Sequence, residues 1–158
     1  MPIEKIVSGG QSGADRAALD WAIANEMPHG GWCPHGRRAE DGRIADSYQL
    51  EETPGDGYRV RTKWNVRDSD ATAIFSMAGE LTGGSLLTLG LARQLNRPFL
   101  HLSRDKSRDP SGELLAFIEE SGVSILNIAG PRESNEPDVA GFVTAVLDTA
   151  LGGKPKSV

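Results

Sequence analysis

The chain has a single cysteine, Cys33, in 158 residues. No internal disulfide can form, and no Cys/His cluster has metal-ligand spacing. No apolar run approaches the roughly 20 residues of a membrane span. Met1-Pro2-Ile3-Glu4-Lys5 lacks the basic start and apolar stretch of a secretory leader. Basic charge is short as well: 17 Lys and Arg against 22 Asp and Glu leave a net charge of −5. That balance argues against a general nucleic-acid binder. The expected setting is the cytoplasm, with neither membrane nor nucleic acid as a partner. Any anion site must then be a local basic spot.

What is present fits an ordinary globular domain. Charged residues are 25% and hydrophobic ones 38%, which argues against wholesale disorder. The length predicts one domain over 1–151, followed by a flexible tail over 152–158. Short apolar runs read as strands at Ile3–Val7, Gly30–Cys33, Leu50–Thr53, Ala71–Ser76, Phe99–Leu102 and Val123–Ile128. Helical patterns lie at Gly13–Glu26, Tyr58–Arg67, Leu86–Leu95, Ser111–Ser121 and Pro137–Leu151. Strands alternate with helices, so the expected fold is α/β. It is a single Rossmann-like, doubly wound, mostly parallel sheet with helices on both faces. Pro34 to Asp46 has no clear period and reads as a functional loop or an irregular cover.

Two glycine-rich turns follow strands and open helices. The first is Ser8-Gly9-Gly10-Gln11-Ser12-Gly13, with Asp15 and Arg16 next. The second is Leu81-Thr82-Gly83-Gly84-Ser85, with Thr88 a turn further on. Such turns present free backbone N–H groups and a positive helix end to an anion. In a doubly wound sheet, the turns at Gly9, Gly83 and Gly130 should gather at the carboxyl edge. A small phosphate-bearing ligand between the two glycine turns is the leading expectation. The alternatives are a tight turn with close helix–sheet packing for the first run and a Thr or Ser helix cap for the second. No lysine follows Gly13 and G-x-G-x-x-G spacing is absent, so ATP hydrolysis and ordinary dinucleotide binding are poor fits.

Basic walls for that pocket are expected from Arg16, from Arg37 and Arg38 in the loop, and from Arg132 after the last strand. Adjacent arginines suit bidentate phosphate binding, although a solvated charged loop is the plain alternative. Ser134 is expected to cap the final helix. Trp21, Trp32 and Trp64 read as core or interface anchors, with Trp32 also able to flank a flat ring. Cys33 reads as a buried thiol. His29, His35 and His101 are scattered, and no Ser/His/Asp order stands out, so no catalytic residue and no metal ligand is assigned.

The run Gly9-Gly10-Gln11-Ser12-Gly13-Ala14-Asp15-Arg16-Ala17-Ala18-Leu19-Asp20 resembles the first motif of the molybdenum cofactor carrier family. His29–Pro34, Gly36–Gly42, Arg61–Thr72, Leu81–Ser85 and Ala129–Arg132 are similar to its further motifs. The resemblance covers nearly the whole chain, to about Leu151. It implies a Rossmann-like fold related to the lysine-decarboxylase-like, cytokinin-activating proteins. It also implies a homo-oligomer, a dimer or tetramer, that binds the molybdenum cofactor (molybdopterin) or a nucleotide-like anion, with molybdoenzymes as acceptors. The cytokinin-activating relatives carry a glutamate after a P-G-G-x-G-T motif, and Thr88 or Gly90 stands where that acid is wanted here. A carrier that breaks no bond is therefore expected. The rivals are a nucleotide-binding sensor and a nucleoside-monophosphate phosphoribohydrolase in which Glu40, Asp41 or Asp15 substitutes for the missing acid.

Overall fold

A computed structural model describes residues 3–55 and 57–152. In chain order the elements are β1 (Lys5–Val7), α1 (Ala14–Ala24), β2 (His29–Gly30), β3 (Trp32–Cys33), β4 (Arg38–Ala39), β5 (Gly42–Arg43), β6 (Glu51–Glu52), α2 (Tyr58–Arg67), β7 (Ala71–Ser76), α3 (Gly83–Gln94), β8 (Phe99–Ser103), α4 (Pro110–Ser121), β9 (Ile125–Ala129) and α5 (Val139–Leu151). Five parallel strands form the central sheet in the order β2-β1-β9-β7-β8. Helices α1 and α4 each pack on α5, and α2 packs on α3. This is the expected Rossmann-like, doubly wound α/β fold. Apart from Gly152, which closes α5, the expected tail lies outside the described residues.

The strand pattern follows from burial. Every residue of β7, an Ala-Thr-Ala-Ile-Phe-Ser run, is buried, as a central strand covered on both faces requires. Its Phe75 meets Phe142 of α5 edge-on, with ring centres 5.8 Å apart. Leu114, Ile118, Leu126, Ile128, Val143 and Leu147 extend the same core. Trp21 is anchored there too, its indole N–H donating to Asp148 at 2.8 Å.

Glycine sets where the strands end. The expected strand Gly30–Cys33 splits at Gly31, whose φ is +130° and where a Cβ would lie 2.2 Å from the Ser8 carbonyl oxygen. His29–Gly30 pairs with β1, whereas Trp32–Cys33 turns away to pair with β6. Gly13 has φ +80°, and a Cβ there would lie 2.5 Å from the Pro131 carbonyl oxygen. It serves close packing of α1 on the segment after β9, which was the alternative to a ligand role for this glycine. The final helix begins at Val139, after left-handed Asp138. Its open amides are taken by the Glu133 carboxylate, which accepts from Asp138 and Ala140 N–H. Ser134 instead hydrogen-bonds Glu40, so it is not the cap.

The segment between β3 and β6 is a cover with a two-strand hairpin, β4–β5. Its organiser is Arg37, only 7% exposed. The guanidinium donates to the carbonyls of Ile44 (3.0 Å), Leu50 (3.2 Å), Ala45 (2.6 Å) and Tyr48 (2.9 Å). These bonds hold a non-glycine backbone at φ +54°. Arg37 is therefore corrected from a phosphate clamp to an internal strut, because its donors are already spent on the backbone. Arg37→Ala leaves several carbonyls short of a charged donor and should lower unfolding free energy by about 3 kcal/mol. Urea denaturation checks the loss, and limited proteolysis should cut first between residues 38 and 50. Wild-type stability in this variant would return Arg37 to the surface-loop reading.

Candidate functional site

The turns after β1, β7 and β9 meet at the carboxyl edge of the sheet. A cleft of about 540 Å³ opens there, reached by Gly9, Gln11, Gly83, Gly84, Gly130 and Arg132. Crowding fixes this meeting: a Cβ on Gly130 would sit 2.5 Å from the Phe75 carbonyl oxygen and 2.6 Å from the Ala14 methyl.

The second glycine turn is the open one. Gly83 and Gly84 are themselves the first residues of α3, and Thr82 at its N-cap makes no side-chain cap bond. Thr88 spends its hydroxyl on the Gly84 carbonyl at 2.9 Å. Among the described residues, no acceptor serves the N–H groups of Gly83, Gly84 or Ser85, whereas Leu86 N–H reaches Thr82 O at 3.3 Å. The Ser85 hydroxyl is buried, lines the cleft and has no partner. A Cβ at Gly83 or Gly84 would meet nothing within 4 Å, so a ligand atom has room. Unbonded amides at a helix start present the positive end of the helix to the cleft, the geometry that favours an anion.

The first glycine turn is already filled. The Asp15 carboxylate accepts from Gln11 N–H at 3.3 Å and from the Arg61 guanidinium at 3.2 Å. Arg61 lies over Gly9, where a Cβ would come 2.1 Å from its Nη1. Burial pushes the Asp15 carboxyl up to about 6, against the pull of Arg61 and the turn amides. Arg61 Nε is buried in the cleft wall without a partner. A second internal carboxylate, Glu136, accepts from Met77 N–H at 2.6 Å and Ala78 N–H at 3.1 Å.

Of the residues expected at the site, Gly9, Gln11, Thr82, Gly83, Gly84, Ser85, Thr88 and Arg132 line the cleft. The others do not. Gly10 has its open side against Leu50 and Ile44, and Gly13 packs on the β9–α5 segment. Ser12 bonds Glu40, and Arg16 grips Asp41 and the Gly10 carbonyl. They line a different hollow, together with Glu40 and Asp41. Arg38 is exposed on β4, outside the cleft. Trp32 packs edge-on against Trp64, 4.8 Å away, and flanks no ligand space in the cleft. Tyr58, at the start of α2, is the aromatic residue at the cleft. Cys33 is fully buried, and burial pushes its thiol up.

The sequence assigns Tyr58–Arg67 only to a helix and a motif, and the structure adds α2 to the cleft wall. Tyr58, Arg61, Thr62 and Asn65 all line the cleft. Their spacing, i, i+3, i+4 and i+7, is the signal: a polar stripe where a helix packed on a sheet should be apolar. Asn65 is tied to the Trp32 backbone, accepting from its N–H and donating to its carbonyl. Arg132 is partly exposed and sits 4.0 Å from Glu40.

The raised Asp15 value sets a pH dependence. A carboxyl whose proton is held more tightly in the folded state than in the unfolded one contributes stability at low pH. That contribution is lost as pH rises from the ordinary value, 3.8, through about 6. Relative to Asp15→Asn, the wild type should lose on the order of 3 kcal/mol of unfolding free energy between pH 3.5 and pH 7. Urea titrations of both proteins across that range check it. Parallel pH profiles would place Asp15 at an ordinary carboxyl value.

The chain matches the family model described as the circularly permutated YpsA SLOG family over residues 6–151, and it belongs to that family. It is similar to a protein from Syntrophus aciditrophicus SB whose crystal structure, at 1.45 Å, is named as that of a "putative molybdenum carrier protein". The two share 45% identity over 95% of this chain and 96% of the other, with a TM-score of 0.91. Curated proteins provide no match.

Proposed function

We propose that this SLOG-family chain binds and carries a phosphate-bearing molybdenum cofactor, breaking no bond in it. One observation carries the reading. The start of α3 offers three unserved amides and a buried, unpartnered Ser85 hydroxyl to the same cleft. These groups together suit the terminal phosphate of a pterin cofactor. Arg61 Nε and Arg132 supply the nearby positive charge. Tyr58, exposed at the rim, suits a planar ring. In this reading the metal is cargo, held by the pterin's own dithiolene, and the molybdoenzymes are its acceptors. The name of the similar Syntrophus protein supports the molybdenum assignment.

A second reading has its own support. Glycosidic hydrolysis of a nucleoside monophosphate needs an acid near the phosphate site. Glu40 and Asp41 lie in the other hollow, but Asp15 lines the cleft with its carboxyl near 6, in the range that suits proton transfer. Base release from a panel of nucleoside monophosphates, abolished in Asp15→Asn, would favour this reading over carriage. A nucleotide sensor is told apart by thermal shift: stabilisation by nucleotides and none by pterins.

Native mass spectrometry after co-expression with the cofactor pathway tests the carrier reading. The wild type should retain pterin and molybdenum. Gly84→Val should reduce retention at least about tenfold with a nearly unchanged melting temperature, because its Cβ enters the ligand space and meets no other atom of the chain within 4 Å. A protein that stays empty while cofactor is abundant removes the carrier reading.

A further inference from the structure

The cleft contains a conflict of charge. Its open wall, the start of α3, favours an anion, yet the Asp15 carboxylate lines the same cleft. Asp15 is buried, so salt and water screen it little. Its cation holds it by one point. Arg61 reaches the carboxylate through Nη1 alone, at 3.2 Å, where a forked pair would use two nitrogens. Arg61 Nε stays unpartnered in the cleft wall. The guanidinium therefore has a donor left for a second anion.

The other charges near Asp15 are turned elsewhere. Arg16, next on α1, grips Asp41 and the Gly10 carbonyl. After β9, Arg132 stands beside Glu40, Glu133 serves the start of α5, and Glu136 accepts from Met77 and Ala78 N–H. Strand β9 carries no charge, and the one charged residue of α5, Asp148, is bonded to Trp21. Lys5 and His29 sit at the amino ends of β1 and β2, away from the carboxyl edge. Helix α3 has no acid, and its base, Arg93, lies in its last turn. Among the described residues, no histidine lines the cleft.

We propose that the cleft takes up its oxyanion together with a proton, which goes to Asp15 as Arg61 turns to the ligand. The inference rests on the oxyanion reading of the α3 start. A second negative charge beside Asp15 tightens the carboxyl's hold on a proton. That carboxyl already stands near 6, so the uptake falls in the neutral range. Neutral Asp15 still accepts from Gln11 N–H, so the first glycine turn stays closed while Arg61 is released. By reciprocity, the anion binds more tightly as pH falls and is let go as pH rises.

Calorimetric titration with inorganic sulfate tests it, because sulfate keeps its full charge across the range. Wild-type affinity should fall about tenfold from pH 5.5 to pH 8. At pH 7 the heat of binding should vary with the buffer's ionisation enthalpy in the sense of proton uptake, a readout that needs no variant. Asp15→Asn, neutral throughout, should keep the wild type's low-pH affinity to within about twofold over the same range. Flat wild-type affinity, heat independent of buffer, or an equal fall in Asp15→Asn overturns the proposal and leaves the oxyanion reading standing. Sulfate left unbound at pH 5.5, or bound as well by Gly84→Val, removes the oxyanion reading and the proposal with it.

Discussion

The carboxyl edge of this sheet depends on one buried ion pair, Asp15 with Arg61. Without it, the first glycine turn would have open amides much like the second. With it, the turn is closed from inside by a carboxylate on the very helix that the turn introduces. The pair also draws α2 over Gly9 and so brings Tyr58 and Thr62 to the cleft. An isolated carboxylate in that position would be costly to bury. The guanidinium and the turn amides offset that cost only in part, which leaves the carboxyl near 6. The two glycine turns are alike in sequence and opposite in use: one holds an internal anion, the other an open helix start.

The same device recurs across the molecule. Asp70 accepts from the N–H groups of Ser124 and Ile125, Glu136 from Met77 and Ala78, and Glu133 from Asp138 and Ala140. Arg37 is the counterpart of opposite sign, surrounded by carbonyls. The loops carry few large apolar residues, and side-chain charge satisfies backbone groups that a loop would otherwise leave open. That gives a net charge of −5 a structural meaning. Several of the acids are fasteners of connections and do not form a repelling surface.

The fold was readable because β7 and the helices around it announce themselves by period and by flanking glycine and proline. Strand alternation with helices was enough to expect a parallel sheet and a pocket at its carboxyl edge. The glycines were harder. Gly13 and Gly84 look equivalent in sequence, yet one meets Pro131 and the other open space. That difference depends on what arrives from elsewhere in the chain. Arg37 is illegible in the sequence for a related reason. A run of charged residues gives no hint that one guanidinium turns inward, because the carbonyls that bind it have no sequence signature. Asp15 and Arg61 are 46 positions apart, and single-sequence reading has no means to pair them.

The open start of α3 has a thermodynamic consequence. Two glycines, no side-chain cap and unserved amides make its first turn the least favourable place in that helix for ordered backbone. A bound oxyanion would be the missing cap. Some of its contact energy would then go into ordering residues 82–86, so the observed affinity would understate the strength of the contacts. Release would be aided in the same way, since letting the anion go returns entropy to the turn. A grip that loosens when its last few residues fray suits a protein that must give up what it holds.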